Sequence, residues 1–270
     1  LIAHVLDERQ ARGLAAVWPD GASRLAHAFW PGPLTLVVER APHVPAAIAG
    51  GGDSIALRAP SHPVARAIIA GLGEPVAAPS ANRYQGLSPT TAQHVIKQLG
   101  DAVDLVLDAG ACDTGIESTV VDVRGAVARV LRPGAIDAAA LRALVADIDT
   151  RVENAHDNEA RASPGMDVRH YAPRVPLVLA ATGEEAWRIA RNVASNGKRV
   201  GLMVRGSSEA ASSGVLVREL PDDPVGYARA LYRTLHDLDD VCDAIVVQRV
   251  PTDEAWGAVT DRLHRAAEKP

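Results

Sequence analysis

The sequence predicts an α/β protein built on one large mixed sheet, followed by a smaller, doubly wound parallel sheet. Three observations lead there. Up to about residue 149, short β-type runs alternate with helical patterns. Residues 150–175 then break the pattern with a polar, aperiodic stretch punctuated by Ser163-Pro164-Gly165 and Ala172-Pro173. Beyond them, strand and helix patterns alternate again. Three segments follow: a domain over 1–149, a linker over 150–175 and a second domain over 176–270.

In the first domain the strand candidates are 2–5, 34–38, 54–57, 75–78, 105–107, 119–123 and 128–131. Helical character lies at 22–29, 63–70 and 89–99. The last is the clearest, with Ser88 as the expected N-cap, Pro89 at the first helical position and Ala92, Val95, Ile96 and Leu99 on one face. The consecutive strands 119–123 and 128–131, turned at Arg124-Gly125, exclude a purely parallel sheet. In the second domain, strands are expected at 176–180, 199–204, 214–220 and 244–250, with helices at 184–195, 224–240 and 257–268. Gly183-Glu184-Glu185 after the first of these strands sets acid, not phosphate-binding glycines, at the helix start.

Composition excludes several classes. The 270 residues are 47% apolar and 23% charged, enough to bury a core, and every apolar run is short. No membrane span and no signal peptide are legible, so a cytoplasmic protein is expected. A net charge of −5 argues against a protein that coats nucleic acid, and one Phe, four Tyr and four Trp cannot build a base-stacking platform. Cys112 and Cys242 stand far apart, which fits neither a disulfide framework nor a metal knuckle.

Four segments place small or polar residues where a plain core would continue apolar. Trp30-Pro31-Gly32-Pro33-Leu34-Thr35 sets a rigid turn into a strand, as a tight connection or as part of a site. In Ser54-Ile55-Ala56-Leu57-Arg58-Ala59-Pro60, alternation puts Ser54, Ala56 and Arg58 on one face. An Arg at a strand exit either grips a carboxylate or phosphate or forms a surface ion pair. Ala77-Ala78-Pro79-Ser80-Ala81-Asn82 ends an expected buried strand with a hydroxyl and an amide, as a turn cap or at a ligand crevice. Ser80, Ser88 and the helix that Ser88 is expected to cap could together hold a phosphate. The loop from Asp108 to Gly115 leads into Ser118-Thr119-Val120-Val121-Asp122, and Arg132-Pro133-Gly134 adds a second fixed cation. No Ser-His-Asp order, paired carboxylates or His-x-x-x-His occurs, so the inventory suits anion binding and positioning of reactants, with no catalytic nucleophile and no metal site expected.

Together these runs resemble the threonylcarbamoyl-AMP synthase family, whose catalytic domain has the YrdC-like fold. The resemblance rests on Leu1-Ile2-Ala3-His4-Val5, Phe29 through Thr35, Ala56 through Pro60, Ala78 through Asn82, Ser88-Pro89-Thr90, Ser118 through Asp122 and Leu131 through Gly134. The linker, with Ser163-Pro164-Gly165-Met166 and His170-Tyr171-Ala172-Pro173, resembles that of two-domain members with a Rossmann-like tail.

The resemblance implies that L-threonine, bicarbonate and ATP, with Mg²⁺ and no permanent cofactor, give threonylcarbamoyl-AMP and pyrophosphate. Other proteins would then use the product to modify tRNA. It further implies that His4, Arg58, Ala78 and Ser118 line a threonine pocket, and that Ser54, Ser80, Ser88 and Arg132 contact ATP. His170 and Tyr171 would close over the nucleotide, with 161–173 acting as a lid. Members carry a Lys-x-Arg motif before the Leu-Ile-x-His strand; nothing precedes Leu1 in this sequence, from which an N-terminal truncation and an inactive chain are expected. Val168 stands where many relatives have an aromatic. The rival readings are an RNA-binding YrdC-like module and the YrdC-like part of a carbamoyltransferase of hydrogenase maturation.

Overall fold

The computed structural model describes residues 1–151, 171–206 and 213–267. They form two compact units that do not follow the chain in simple order. The first takes residues 1–79 and, from 117 on, the described residues to 151; the second takes 80–116 and the described residues from 171.

The first unit is a seven-stranded mixed sheet. Its strands are β1 (Ile2–His4), β2 (Leu34–Glu39), β3 (Ser54–Arg58), β4 (Val76–Ala77), β5 (Thr119–Asp122), β6 (Ala128–Arg132) and β7 (Ile148–Asp149). They lie in the order β4-β1-β3-β2-β5-β6-β7. The pairs β1/β3, β2/β5 and β6/β7 are parallel; β1/β4, β2/β3 and β5/β6 are antiparallel. Helices α1 (Glu8–Arg12), α2 (Asp20–Phe29) and α5 (Ala138–Arg142) bury Ala11, Ala22, Leu25, Ala26 and Leu141 against one sheet face, with Leu34, Leu36, Val38, Ile55, Leu57 and Val121. Among the described residues, the other face carries a small apolar cluster, Ile2, Val37, Ala56 and Val120, with Leu131 against it. Helix α3 (Pro63–Leu72) starts with Pro at its first turn, as its sequence requires.

One expected strand is cut short here, and one expected pairing forms with an irregularity. The run 75–78, read as a buried strand, is the two-residue edge strand β4, whose Ala77 is exposed. The consecutive strands 119–123 and 128–131 do pair, with a register shift between Val120 and Val121.

The second unit centres on four parallel strands: β8 (Leu177–Ala180), β9 (Val200–Arg205), β10 (Val215–Leu220) and β11 (Ala244–Gln248), in the order β10-β9-β11-β8. Helix α6 (Gly183–Ser195) opens on the N-cap Thr182, with Glu185 reaching back to the residue before it. The Thr182 hydroxyl accepts the Glu185 amide at 3.1 Å, and the Glu185 carboxylate accepts the Ala181 amide at 2.7 Å. These acidic contacts occupy the helix start and leave it unsuited to phosphate. Helix α7 (Pro224–Asp239) is capped by Asp223 and buries Ala228, Leu231, Tyr232, Leu235 and Leu238 at helical spacing. Helix α8 (Gly257–Ala267) closes the described chain.

Segment 80–116 joins this unit through α7. Helix α4 (Ala92–Leu99) is shorter than its sequence suggests and begins at Thr91, not Ser88. The reason is local: Thr91 Oγ1 accepts the His94 amide, and His94 Nδ1 accepts the Thr90 amide at 3.2 Å, which holds the residues before Ala92 out of the helix. The His94 ring stacks on His236 of α7, centroids 3.8 Å apart, and Lys97 pairs with Asp240. The expected strand at 105–107 is absent: Leu105 is 74% and Leu107 56% exposed, and no described strand edge pairs with them.

Gly115 settles the last contact with α7. Its φ is +78°, and a Cβ there would lie 2.4 Å from the Arg229 Cα. Gly110 has a similarly positive φ, +89°, but open space around it. Gly115→Ala is therefore expected to cost about 1–3 kcal/mol more than Gly110→Ala, the scale of a steric overpacking. Urea unfolding of the two variants measures the difference; equal midpoints would mean that α7 yields to the added methyl.

Candidate functional site

Strand alternation assembles the site on the less apolar face of the first sheet. Ile2, Val37, Ala56 and Val120 mark that face, and counting by two from them reaches His4, Thr35, Ser54, Arg58 and Ser118. In the parallel pair β1/β3, His4 stands opposite Arg58. The Arg58 Nε donates to the Gly32 carbonyl at 3.1 Å, so the Pro-Gly-Pro turn fixes the guanidinium at the strand exit. Ser54 lies at the other end of β3, about 13 Å away along the strand. Ala78, exposed at the sheet edge, donates its amide to the Ile2 carbonyl at 3.2 Å.

Ser118 and Arg132 form the buried part of the site. Arg132 is 3% and Ser118 2% exposed. Arg132 donates from Nε to the Ser118 carbonyl and from Nη2 to the Ser118 hydroxyl, each at 3.1 Å. By simple alternation from Val130, Arg132 would face the opposite core; the bulge pairs it with Val120 and turns it toward Ser118. Beside it, the Thr119 hydroxyl accepts the Ile136 amide and donates to the Ile136 carbonyl, both at 3.0 Å. Gly134 makes this packing possible, since a Cβ would sit 2.3 Å from the Thr119 nitrogen.

One residue of this cluster stood in a candidate segment, at the end of the Trp30–Thr35 turn, but was given no role of its own. Thr35 is fully buried in β2, and its hydroxyl lies 2.7 Å from that of Ser118. Its signal was a lone hydroxyl inside the apolar run 34–38.

Burial, reinforced by the charge of Arg58, pushes His4 down to about 4. The imidazole is therefore neutral at pH 7, and its Nδ1 is buried with no hydrogen-bond partner among the described residues.

Ser80, Ser88 and Tyr171 belong to the second unit. Ser80 is exposed. Ser88 is buried, and its carbonyl lies 3.1 Å from His236 Nε2. Tyr171, at φ +63°, is 1% exposed; its ring packs against Tyr232 at 5.9 Å and beneath the Arg262 guanidinium at 5.4 Å. Its neighbour Ala172 bridges to Gly86, which ties the end of the linker to the 80–88 loop. His170 and Val168, like most of the expected lid, lie outside the described residues. Among the described residues, no group of three or more His, Cys, Asp or Glu could hold a metal ion, and no helix is long and apolar enough to cross a membrane.

Two family models divide the chain between them. The one described as Telomere recombination matches residues 1–134, and the one described as Threonylcarbamoyl-AMP synthase, C-terminal domain, matches 136–268. The threonylcarbamoyl-AMP synthase of Pyrococcus abyssi is 33% identical over 276 residues, covering 99% of this chain and 79% of that protein. That of Bacillus subtilis is 32% identical, with the same 99% and 79% coverage. Among solved structures, that of P. abyssi Sua5 complexed with L-threonine matches with a TM-score of 0.89 at 33% identity, over 99% of this chain and 79% of that one.

The depressed His4 makes a pH prediction. Below its ordinary pKa of 6.5 the unfolded chain binds a proton that folded His4 refuses down to about 4. Stability is thus complete above about pH 6.5 and falls as pH drops toward 4. His236, also held down to about 4 chiefly by burial, adds to the same loss. His4→Gln should shallow the fall in thermal midpoint between pH 6.5 and 4. An unchanged slope would remove His4 from the linkage.

Proposed function

Because the chain belongs to the threonylcarbamoyl-AMP synthase family, we propose that it joins L-threonine, bicarbonate and ATP into threonylcarbamoyl-AMP with release of pyrophosphate. The observation that carries the reading beyond family membership is the convergence of His4, Arg58, Ser118 and Arg132 on one sheet face. A zwitterionic amino acid needs a cation for its carboxylate and an uncharged acceptor for its amino group. Arg58 supplies the first through its planar fork, and neutral His4 supplies the second without adding positive charge beside Arg58.

The chemistry has two stages. The threonine nitrogen bonds to the bicarbonate carbon as water leaves, giving a carbamate. A carbamate oxygen then bonds to the α-phosphorus of ATP while the bond to the β-phosphate oxygen breaks, releasing pyrophosphate. Both stages ask for orientation and for fixed positive charge near developing negative charge, more than for a covalent nucleophile. Arg132, locked by two hydrogen bonds to Ser118, is a preorganised cation of this kind. Ser54, Ser80, Ser88, His170 and Tyr171 are assigned to ATP by the resemblance, with Ala78 leaving room for the threonine side chain. Mg²⁺ enters with the nucleotide, the enzyme works in the cytoplasm, and the product feeds tRNA threonylcarbamoylation by other proteins.

Arg58→Ala should weaken threonine binding by about 2–4 kcal/mol, the cost of truncating one partner of a desolvated charge pair. Titration calorimetry with threonine, alongside pyrophosphate release from ATP, reads both binding and turnover. Unchanged threonine affinity would exclude Arg58 as the carboxylate anchor. A version extended upstream to carry the Lys-x-Arg motif that the resemblance implies, and still releasing no pyrophosphate with all three substrates, would overturn the functional assignment.

A further inference from the structure

We propose that Thr35 is a positioning residue for threonine recognition, acting through the Ser118 hydroxyl. The inference rests on the functional reading above and adds a residue to it.

The argument is one of hydrogen-bond inventory. Arg132 carries only donors, so its 3.1 Å contact to the Ser118 hydroxyl uses one oxygen lone pair. Thr35 Oγ1, 2.7 Å from the same oxygen, is the second polar atom at that hydroxyl. Both side chains are enclosed, Thr35 completely, so the rotation available to either hydroxyl is confined. If Thr35 donates, Ser118 has both lone pairs engaged and its own proton is left to point at a ligand acceptor. Either way Thr35 fixes which direction the Ser118 proton takes.

Backbone register makes the arrangement rigid. Thr35 stands in β2 opposite Val120 of β5, with its neighbour Leu34 opposite Thr119. Thr119 in turn donates its amide to the Pro33 carbonyl at 2.9 Å. Thr35 thus sits within one strand of a parallel ladder, and Ser118 immediately precedes the other. A valine would fill the same volume as Thr35 and keep the β-branched shape, yet leave Ser118 with one partner fewer.

The test is a double-mutant cycle with a conservative rescue, read as threonine KM or affinity, ATP KM and kcat. Thr35→Val should raise the threonine KM by about tenfold, the order set by one lost buried hydrogen bond, with much less effect on the ATP KM. Thr35→Ser should retain most of the affinity. In a Ser118→Ala background, Thr35→Val should add nothing, since the residue it positions is gone. Thermal midpoints of the four variants against the wild type check that the fold is intact.

Three results would overturn the proposal: an unchanged threonine KM in Thr35→Val, equal loss in Thr35→Ser, or effects of Thr35→Val and Ser118→Ala that multiply independently. A version extended upstream to carry the Lys-x-Arg motif, and showing no threonine-dependent pyrophosphate release, would instead strike the functional reading itself, and this proposal with it.

Discussion

A strand offers two faces, and in the first unit the chain assigns them to different tasks. Leu34, Leu36 and Val38 of β2, with Ile55 and Leu57 of β3, point to the helices and form the larger core. The intervening residues face away and are small, polar or charged where the site lies. This period of two is the constraint on which everything else depends. A one-residue slip in β3 would bury Arg58 among leucines and expose Ile55 and Leu57. The apolar face therefore enforces the register that sets His4 opposite Arg58.

The bulge between β5 and β6 breaks that period once, and it does so at a cation. Leu131 packs against the small cluster and Arg132 pairs with Val120, so the guanidinium reaches the Ser118 hydroxyl. Enclosing a charge this deeply carries a desolvation cost, which hydrogen bonds to the Ser118 carbonyl and hydroxyl offset in part. A cation held this way needs little reorganisation when negative charge develops nearby. Gly134 permits the approach of the two backbones, and Thr119 secures it through Ile136. His4 shows the complementary effect: burial and the Arg58 charge keep it neutral.

The second unit illustrates how packing can regroup a chain. Segment 80–116 comes between strands of the first sheet in sequence, yet it clusters with the C-terminal sheet. Gly115 lies on the α7 backbone, Arg229 donates to the Asp113 carbonyl at 2.6 Å, and His94 stacks on His236. Ser80 and Ser88 travel with that unit, whereas Arg58, Ser118 and Arg132 belong to the other. Both stacked histidines are held below the ordinary imidazole value, mainly because packing removes them from water.

Sequence by itself determined the elements whose signals are local. Periodicity placed β2, β3, α7 and the parallel second sheet within a residue or two, because side-chain spacing and caps such as Asp223-Pro224 act over a few residues. The seven short motifs likewise marked Arg58, Ser118 and Arg132 before any geometry was known. Other features depended on partners distant in sequence. Thr91 displaced Ser88 as the α4 cap because His94 engages the Thr90 amide, and residues 105–107 found no sheet edge despite their apolar character. Thr35 closed a candidate turn segment without a role of its own until Ser118, 83 positions away, was set 2.7 Å from it. A hydroxyl's role is fixed by its hydrogen-bond partners, and those partners are chosen by strand pairing and by a bulge, which only the folded sheet provides.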